Sequence, residues 1–207
     1  MSNNNSQLKR KLTAEHELFL REERLTLALK GANDGLWDWN LETDEVYYSR
    51  QWKSMLGYEE GELAHHLDTW ASLVHPDDKD RVLKTVEDHL SGNADSFEVE
   101  MRMRHKDGHE IVVLSRAFLV NRTSDGKAMR LVGTHVDITE RKKTESYLAK
   151  NAEILEMIAT GKPAPMIYDQ IALMYEGRHP GMRCSMLELE DGKLLHGGAP
   201  SLPKEYC

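Results

Sequence analysis

The clearest hydrophobic pattern in the chain is an alternation of apolar and charged residues that begins at Phe97. Four apolar residues lie on one face and charged residues lie between them: Phe97, Val99, Met101 and Met103. This period of two is typical of a half-buried strand. Asp107-Gly108 then predicts a hairpin turn, because glycine adopts the positive φ that such turns need. Two more strands are predicted, separated by a turn at Asp125-Gly126: Glu110–Asn121 and Met129–Val136.

Upstream of these strands the pattern changes to short strands and helical stripes. Two short strands, Leu36–Leu41 and Val46–Ser49, surround a polar turn. Three short helices follow, and each carries an apolar stripe at helical spacing: around Trp52 to Leu56, around Trp70 to Val74, and from Pro76 to Ser91. The order predicts an α+β domain, in which a five-stranded antiparallel sheet has helices over one face.

Both flanks of this region are predicted to be helical. Leu12 to Leu29 is rich in helix formers, and Leu18 and Leu25 lie one heptad apart, a hint of a coiled coil. A second helix is predicted from Thr139 to about Ala159, with Leu148 and Leu155 at heptad spacing. A further helix and a hairpin at Asp191-Gly192 follow. These flanking helices favour a homodimer.

Charge and composition exclude several classes of protein. The chain has 27 Lys and Arg against 35 Asp and Glu, a net charge of −8, which argues against nucleic-acid binding. No apolar run approaches the roughly 18 residues of a membrane span, and the polar start is unlike a secretory signal. Cys184 and Cys207 have no metal or redox spacing. A cytoplasmic protein is the simplest interpretation.

Five fragments, in this order and spacing, resemble PAS domains of bacterial signalling proteins: "GLWDWN", "YYSRQWKSMLGY", "LVHPDD", "RHKDGHEIVVLSR" and the PAC-type "LVGTHVDITERK". The segments "LEMIATGKP" and "PGMRCSMLELEDGKLLHGGAPSLPKEY" resemble the start of a GAF domain, of which only the front is expected here. The resulting domains are an N-terminal flank at 1–24, PAS at 25–138, a signalling helix at 139–160 and the GAF start at 161–207.

The resemblance implies a signal-input region. The PAS domain would sense a small ligand, redox state or partner. It would pass the change to an output domain outside this chain, either a histidine kinase or a cyclic-di-GMP cyclase or phosphodiesterase. The alternative is a ligand-free PAS scaffold that only dimerises. No catalytic motif such as GxSxG or HExxH is found, so the chain is not expected to be an enzyme.

Candidate ligand-binding residues follow from strand parity and aromatic character: Trp37, Trp39, Met101, Met103 and Phe118. Core packing would use the same residue types, so both interpretations stay open. Asp137 and Thr139 stand where the last strand becomes a helix. Thr139 is expected to cap the helix and Asp137 to accept amide hydrogens at its positive end. They would either transmit the signal or act as an ordinary helix cap.

The sequence requires no cofactor. A LOV-type flavin adduct is excluded for the PAS region, because no cysteine precedes Arg183, whereas a non-covalent flavin stays compatible with it. In some haem-binding PAS domains the region of His89 supplies the iron ligand, but an exposed position is favoured here. No metal site is predicted: His65 and His66 point in different directions, and His105 and His109 are expected to face water.

Overall fold

The computed structural model describes residues 34–94 and 97–203, together with six helical positions between 16 and 31. The heptad positions Leu18 and Leu25 lie outside the described residues. The described part divides into two compact units between Thr139 and Glu140. In this part of the chain, no helix has both the length and the hydropathy that crossing a membrane requires.

The first unit is built on one antiparallel sheet of five strands. The strands are β1 (Gly35–Asn40), β2 (Val46–Tyr48), β3 (Phe97–Arg104), β4 (Glu110–Arg122) and β5 (Ala128–Asp137), in the spatial order β2-β1-β5-β4-β3. Three helices connect β2 to β3: α1 (Arg50–Met55), α2 (Leu67–Leu73) and α3 (Pro76–Leu90). The predicted five-stranded sheet with flanking helices is confirmed.

Each helix of this unit begins where the sequence supplies a cap. The Ser49 hydroxyl accepts the amide of Trp52 at the start of α1. His75 caps α3, and Pro76 occupies its first position, where a missing N–H costs nothing. Apolar faces of these helices and the alternating face of β3 form one core. Its most deeply buried members include Trp52, Leu56, Val82, Met103, Val113 and Leu131.

A bidentate ion pair links β3 to α3. The guanidinium of Arg102 donates from Nε and Nη2 to the two carboxylate oxygens of Asp78, at 2.9 and 3.0 Å. The amide of Arg102 also donates to Asp78, at 2.8 Å. These bonds lower the pKa of Asp78 to about 2. The contact fixes the register of helix against strand.

The second unit contains two helices and a hairpin. These are α4 (Thr139–Ala159), α5 (Ala164–Arg178), β6 (Met186–Glu190) and β7 (Lys193–Gly198). The turn between the strands is the predicted Asp191-Gly192, and both residues have positive φ, at 50° and 75°. Gly198 lies against α5: a Cβ there would stand 2.7 Å from Cβ of Tyr168. This small residue therefore permits close packing of the hairpin on the helix.

Candidate functional site

A cavity lies between the sheet and the helices of the first unit. Its enclosed volume is about 50 Å³, or about 480 Å³ when all the empty space up to and including its opening to solvent is counted. Its walls come from all five strands, α2 and α3, and are mostly aromatic and aliphatic side chains, including Trp37, Trp39, Tyr48, Trp70, Phe97, Met101 and Leu131. An apolar cavity with few polar groups is the usual form of a small-molecule site.

Trp37, one of the lining residues, carries a hydrogen-bond donor that is buried. Its side chain packs edge-on against His135, with ring centroids 5.7 Å apart. The whole residue is only 8% exposed, and its buried Nε1 has no hydrogen-bond partner among the described residues. Buried indole N–H groups normally find a partner, and leaving one unpaired costs about 1–3 kcal/mol. Trp37 is therefore a cavity-lining residue whose buried indole N–H is unsatisfied.

The neighbouring polar groups of the wall are satisfied within the protein. Trp39 Nε1 donates to Asp44 at 3.2 Å, and the hydroxyl of Tyr48 donates to the carbonyl of His66 at 3.1 Å. His135 Nδ1 accepts from Trp52 Nε1 at 2.8 Å. Burial lowers the pKa of His135 to about 3, so its ring is uncharged at neutral pH. This part of the wall carries no net charge.

The predicted pocket residues do not all reach the cavity. Trp37, Trp39 and Met101 line it. Met103 is fully buried but lies outside the lining, where its backbone forms a bridge with Val74. The placement of Phe118 in the pocket is corrected: its side chain is 62% exposed. Phe118 lies three positions after the lining residue Ser115 on a regular strand, so parity puts it on the opposite face of the sheet.

His135 and Trp52 are the site residues that the sequence prediction missed. His135 shares the face of Leu131 on β5, because the two are four positions apart. This alternation could have identified His135 from the sequence. The hydrogen bond between His135 and Trp52 could not have been predicted, because 83 positions separate the two residues. His89, the possible haem ligand, was expected to be exposed. It is instead only 8% exposed, and its ring lies close to the carbonyl of Ala94. It is not among the residues that line the cavity.

The strand-to-helix joint is a network of four hydrogen bonds. The amide and the hydroxyl of Thr139 both donate to Oδ1 of Asp137, at 2.8 and 2.5 Å. The amide of Val112 in β4 donates to the Thr139 hydroxyl at 2.9 Å. The amide of Ile138 donates to the carbonyl of Val112 at 2.8 Å. The acceptor at the start of α4 is therefore Asp137, and Thr139 binds the neighbouring strand instead of capping the helix.

Known proteins resemble this chain. A family model described as the PAS fold matches residues 45–135. A solved structure of a sensory box histidine kinase/response regulator from Burkholderia thailandensis is 38% identical. The match covers 64% of this chain and 98% of that one, with a TM-score of 0.57.

Two longer relatives align with the chain as well. The methyl sulfide methyltransferase-associated sensor of Methanosarcina acetivorans is 30% identical over 74% of this chain and 15% of its own length. A probable diguanylate cyclase of Escherichia coli is 28% identical over 65% of this chain and 12% of its own. The alignments thus span less than a sixth of these proteins. Family model, solved relative and five-stranded sheet agree: the chain belongs to the PAS family, and residues 45–135 form a PAS sensor domain, a regulatory module.

Proposed function

We propose that this PAS domain binds a small, uncharged and largely apolar molecule that carries a hydrogen-bond acceptor. The unpaired Nε1 of Trp37 carries the proposal, because an acceptor on the ligand would satisfy a donor that the protein leaves alone. The aromatic walls favour a planar group, which can stack or pack edge-on. The neutral His135 supports an uncharged ligand, since burying an unpaired charge would be costly.

Mass spectrometry of small molecules released from the purified, denatured chain tests this function. Trp37→Phe keeps a ring but removes the donor, so we expect that variant to retain at least tenfold less of the compound. Trp39→Phe is the matched control, because Trp39 Nε1 is already bonded to Asp44. Riboflavin and its phosphate serve as added probes, because they differ in charge. Equal retention by both tryptophan variants, or preference for the phosphate, contradicts the proposed ligand class.

Signal transfer would run through Asp137 and Thr139 into α4. Their hydrogen bonds join β4, β5 and the first turn of the helix, so a shift of the sheet would move the helix start. Thr139→Val in the parent protein removes the shared hydroxyl. We expect a folded protein whose output no longer responds to the stimulus. Thr144→Val is the control, since that exposed hydroxyl bonds only within its own helix. A normal response in Thr139→Val contradicts the role.

The output domain is proposed to be a histidine kinase or a cyclic-di-GMP enzyme in a cytoplasmic, homodimeric parent. The kinase and the cyclase among the relatives support this. Leu148 and Leu155, one heptad apart on α4, are 60% and 64% exposed and would form the dimer seam together with the N-terminal helix. Sedimentation of Leu148→Glu tests the seam: a dimer of undiminished affinity contradicts it.

The alternative function is a ligand-free scaffold. Phe118 and Val120 form an exposed apolar pair on the sheet face opposite the cavity, which favours a protein contact there. A protein that releases no small molecule, and whose self-association is lost in Phe118→Ser, would establish the scaffold.

Residues 161–207 are proposed to begin a GAF domain. The β6–β7 hairpin supports this, because four of its leucines are 46–73% exposed: Leu187, Leu189, Leu194 and Leu195. An isolated hairpin is marginal in water, so these side chains need a covering layer. Hydrogen exchange in the natural parent tests the idea. Protection of the hairpin there, but not in residues 1–207, is expected; equal exchange contradicts it.

A further inference from the structure

The turn between β3 and β4 brings two histidines and an aspartate together. Residues 105–109 read His-Lys-Asp-Gly-His. The amide of His105 donates to the carbonyl of His109 at 2.8 Å, and Gly108 closes the turn with a φ of 93°. The two imidazole rings consequently stack, with centroids 4.2 Å apart. Within the described chain, a donor atom of each of His105, Asp107 and His109 lies within 4.8 Å of the others.

The carboxylate of Asp107 faces Nδ1 of both rings. Oδ1 contacts Nδ1 of His105, and Oδ2 lies 3.8 Å from Nδ1 of His109. The amide of Asp107 also points at Nδ1 of His105, at 3.3 Å, a contact that a metal ion bound to this nitrogen would replace. A metal ion held by the two imidazoles would lie beside the negative carboxylate, which favours its binding.

The surroundings hold His105 in place and leave one side open. The side chain of His105 is only 18% exposed, contrary to the expectation that it faces water, whereas Asp107 and His109 are 68% and 57% exposed. A Cβ on Gly57 would come within 2.4 Å of the His105 ring, so only glycine permits this packing. Lys106 does not repel a cation strongly, because its ammonium is paired with Glu62 at 2.6 Å.

We infer that this turn is a binding site for a divalent transition-metal ion, with Zn²⁺ as its representative. Two imidazoles and one carboxylate suit Zn²⁺, Ni²⁺ or Cu²⁺, whereas Mg²⁺ and Ca²⁺ prefer oxygen ligands alone. Three protein ligands leave a fourth position of a tetrahedral ion for water on the exposed side. The site is separate from the apolar cavity and does not depend on the ligand proposed for it.

Isothermal titration of the full chain with Zn²⁺ at pH 7.5 tests the inference. We expect saturable binding that His109→Gln and Asp107→Asn each weaken at least tenfold, since even an outer-shell partner is worth roughly 10–100-fold in metal affinity. Both residues are exposed, so these variants should fold, and circular dichroism checks that they do. His66→Gln is the control, because His66 lies 3.2 Å from Asp68 in an exposed pair of the same kind.

Two further measurements sharpen the test. Millimolar Mg²⁺ should not displace Zn²⁺, because Mg²⁺ prefers oxygen ligands alone. Paramagnetic Ni²⁺ should broaden the imidazole NMR signals of His105 and His109 before those of the other histidines. The inference is overturned if Zn²⁺ does not bind, if His109→Gln and Asp107→Asn bind as tightly as the unaltered chain, or if His66→Gln loses as much affinity as they do.

Discussion

Two hairpins of this chain have the same sequence signature but opposite surroundings. β3–β4 and β6–β7 each carry apolar residues around an Asp-Gly turn. In β3–β4, Met103 and Val113 are fully buried under the helices of the PAS domain. In β6–β7, Leu189 and Leu194 are 73% and 65% exposed. Alternation therefore specifies a strand, but only a covering layer turns an apolar face into a core.

The largest expected effect comes from truncating the covered hairpin. Met103→Ala should lower the free energy of unfolding by about 2–5 kcal/mol, because it removes buried methylene groups and leaves a cavity. Denaturant titration followed by tryptophan fluorescence measures it, since all four tryptophans lie between Trp37 and Trp70. Met182→Ala, at a methionine that is 58% exposed, is the matched control. Equal losses of unfolding free energy in Met103→Ala and Met182→Ala would contradict the proposed difference between covered and exposed surfaces.

Burial also gives the covered sheet a pH dependence. The pKa of His135 is about 3 in the fold and about 6.5 when unfolded, so the unfolded chain binds the proton first. Stability is therefore complete above about pH 6.5 and falls by about 2 kcal/mol between pH 6.5 and 5. His135→Gln keeps an acceptor for Trp52 and does not titrate. Its unfolding free energy should change less over this range; an unchanged slope would contradict the argument.

The ion pair between Asp78 and Arg102 is expected to contribute less to the free energy of unfolding. Asp78→Asn should cost about 1 kcal/mol at pH 7, because Arg102 is partly open to solvent and its attraction is screened. The lowered pKa of Asp78 means that this contribution is present above about pH 3.9 and is lost as pH falls toward 2.

Unfolding titrations at pH 7 and pH 2 measure this difference. Glu98→Gln is the control, because Glu98 also lies on β3 and forms an exposed ion pair, with Arg116. A cost that persists at pH 2 would show that the ion pair is not its source.

The smallest expected effect belongs to the open hairpin. Leu189→Ser should change the unfolding free energy of the 207-residue chain by less than about 0.5 kcal/mol, because the side chain is already in water. Circular dichroism during urea denaturation measures both units together. A cost above about 1 kcal/mol would mean that this leucine is covered in solution, and the comparison between the hairpins would fail.

The sequence by itself determined the order and type of every described strand and helix. Period-two alternation, Asp-Gly turns and residues such as Ser49 and Pro76 act locally, so they can be recognised without knowing what lies across the core. Trp37, Trp39 and Met101, named as pocket candidates from parity and residue type, line the cavity.

Only the tertiary structure decided how distant residues combine. Trp52 meets His135 across 83 positions, and Thr139 meets the amide of Val112 in a different strand. Phe118 shows the limit most clearly, because its residue type suited a pocket while its register placed it outside. Local periodicity sorts side chains onto faces, but strand order and helix packing, which are properties of the whole chain, decide which face is buried and which groups become partners.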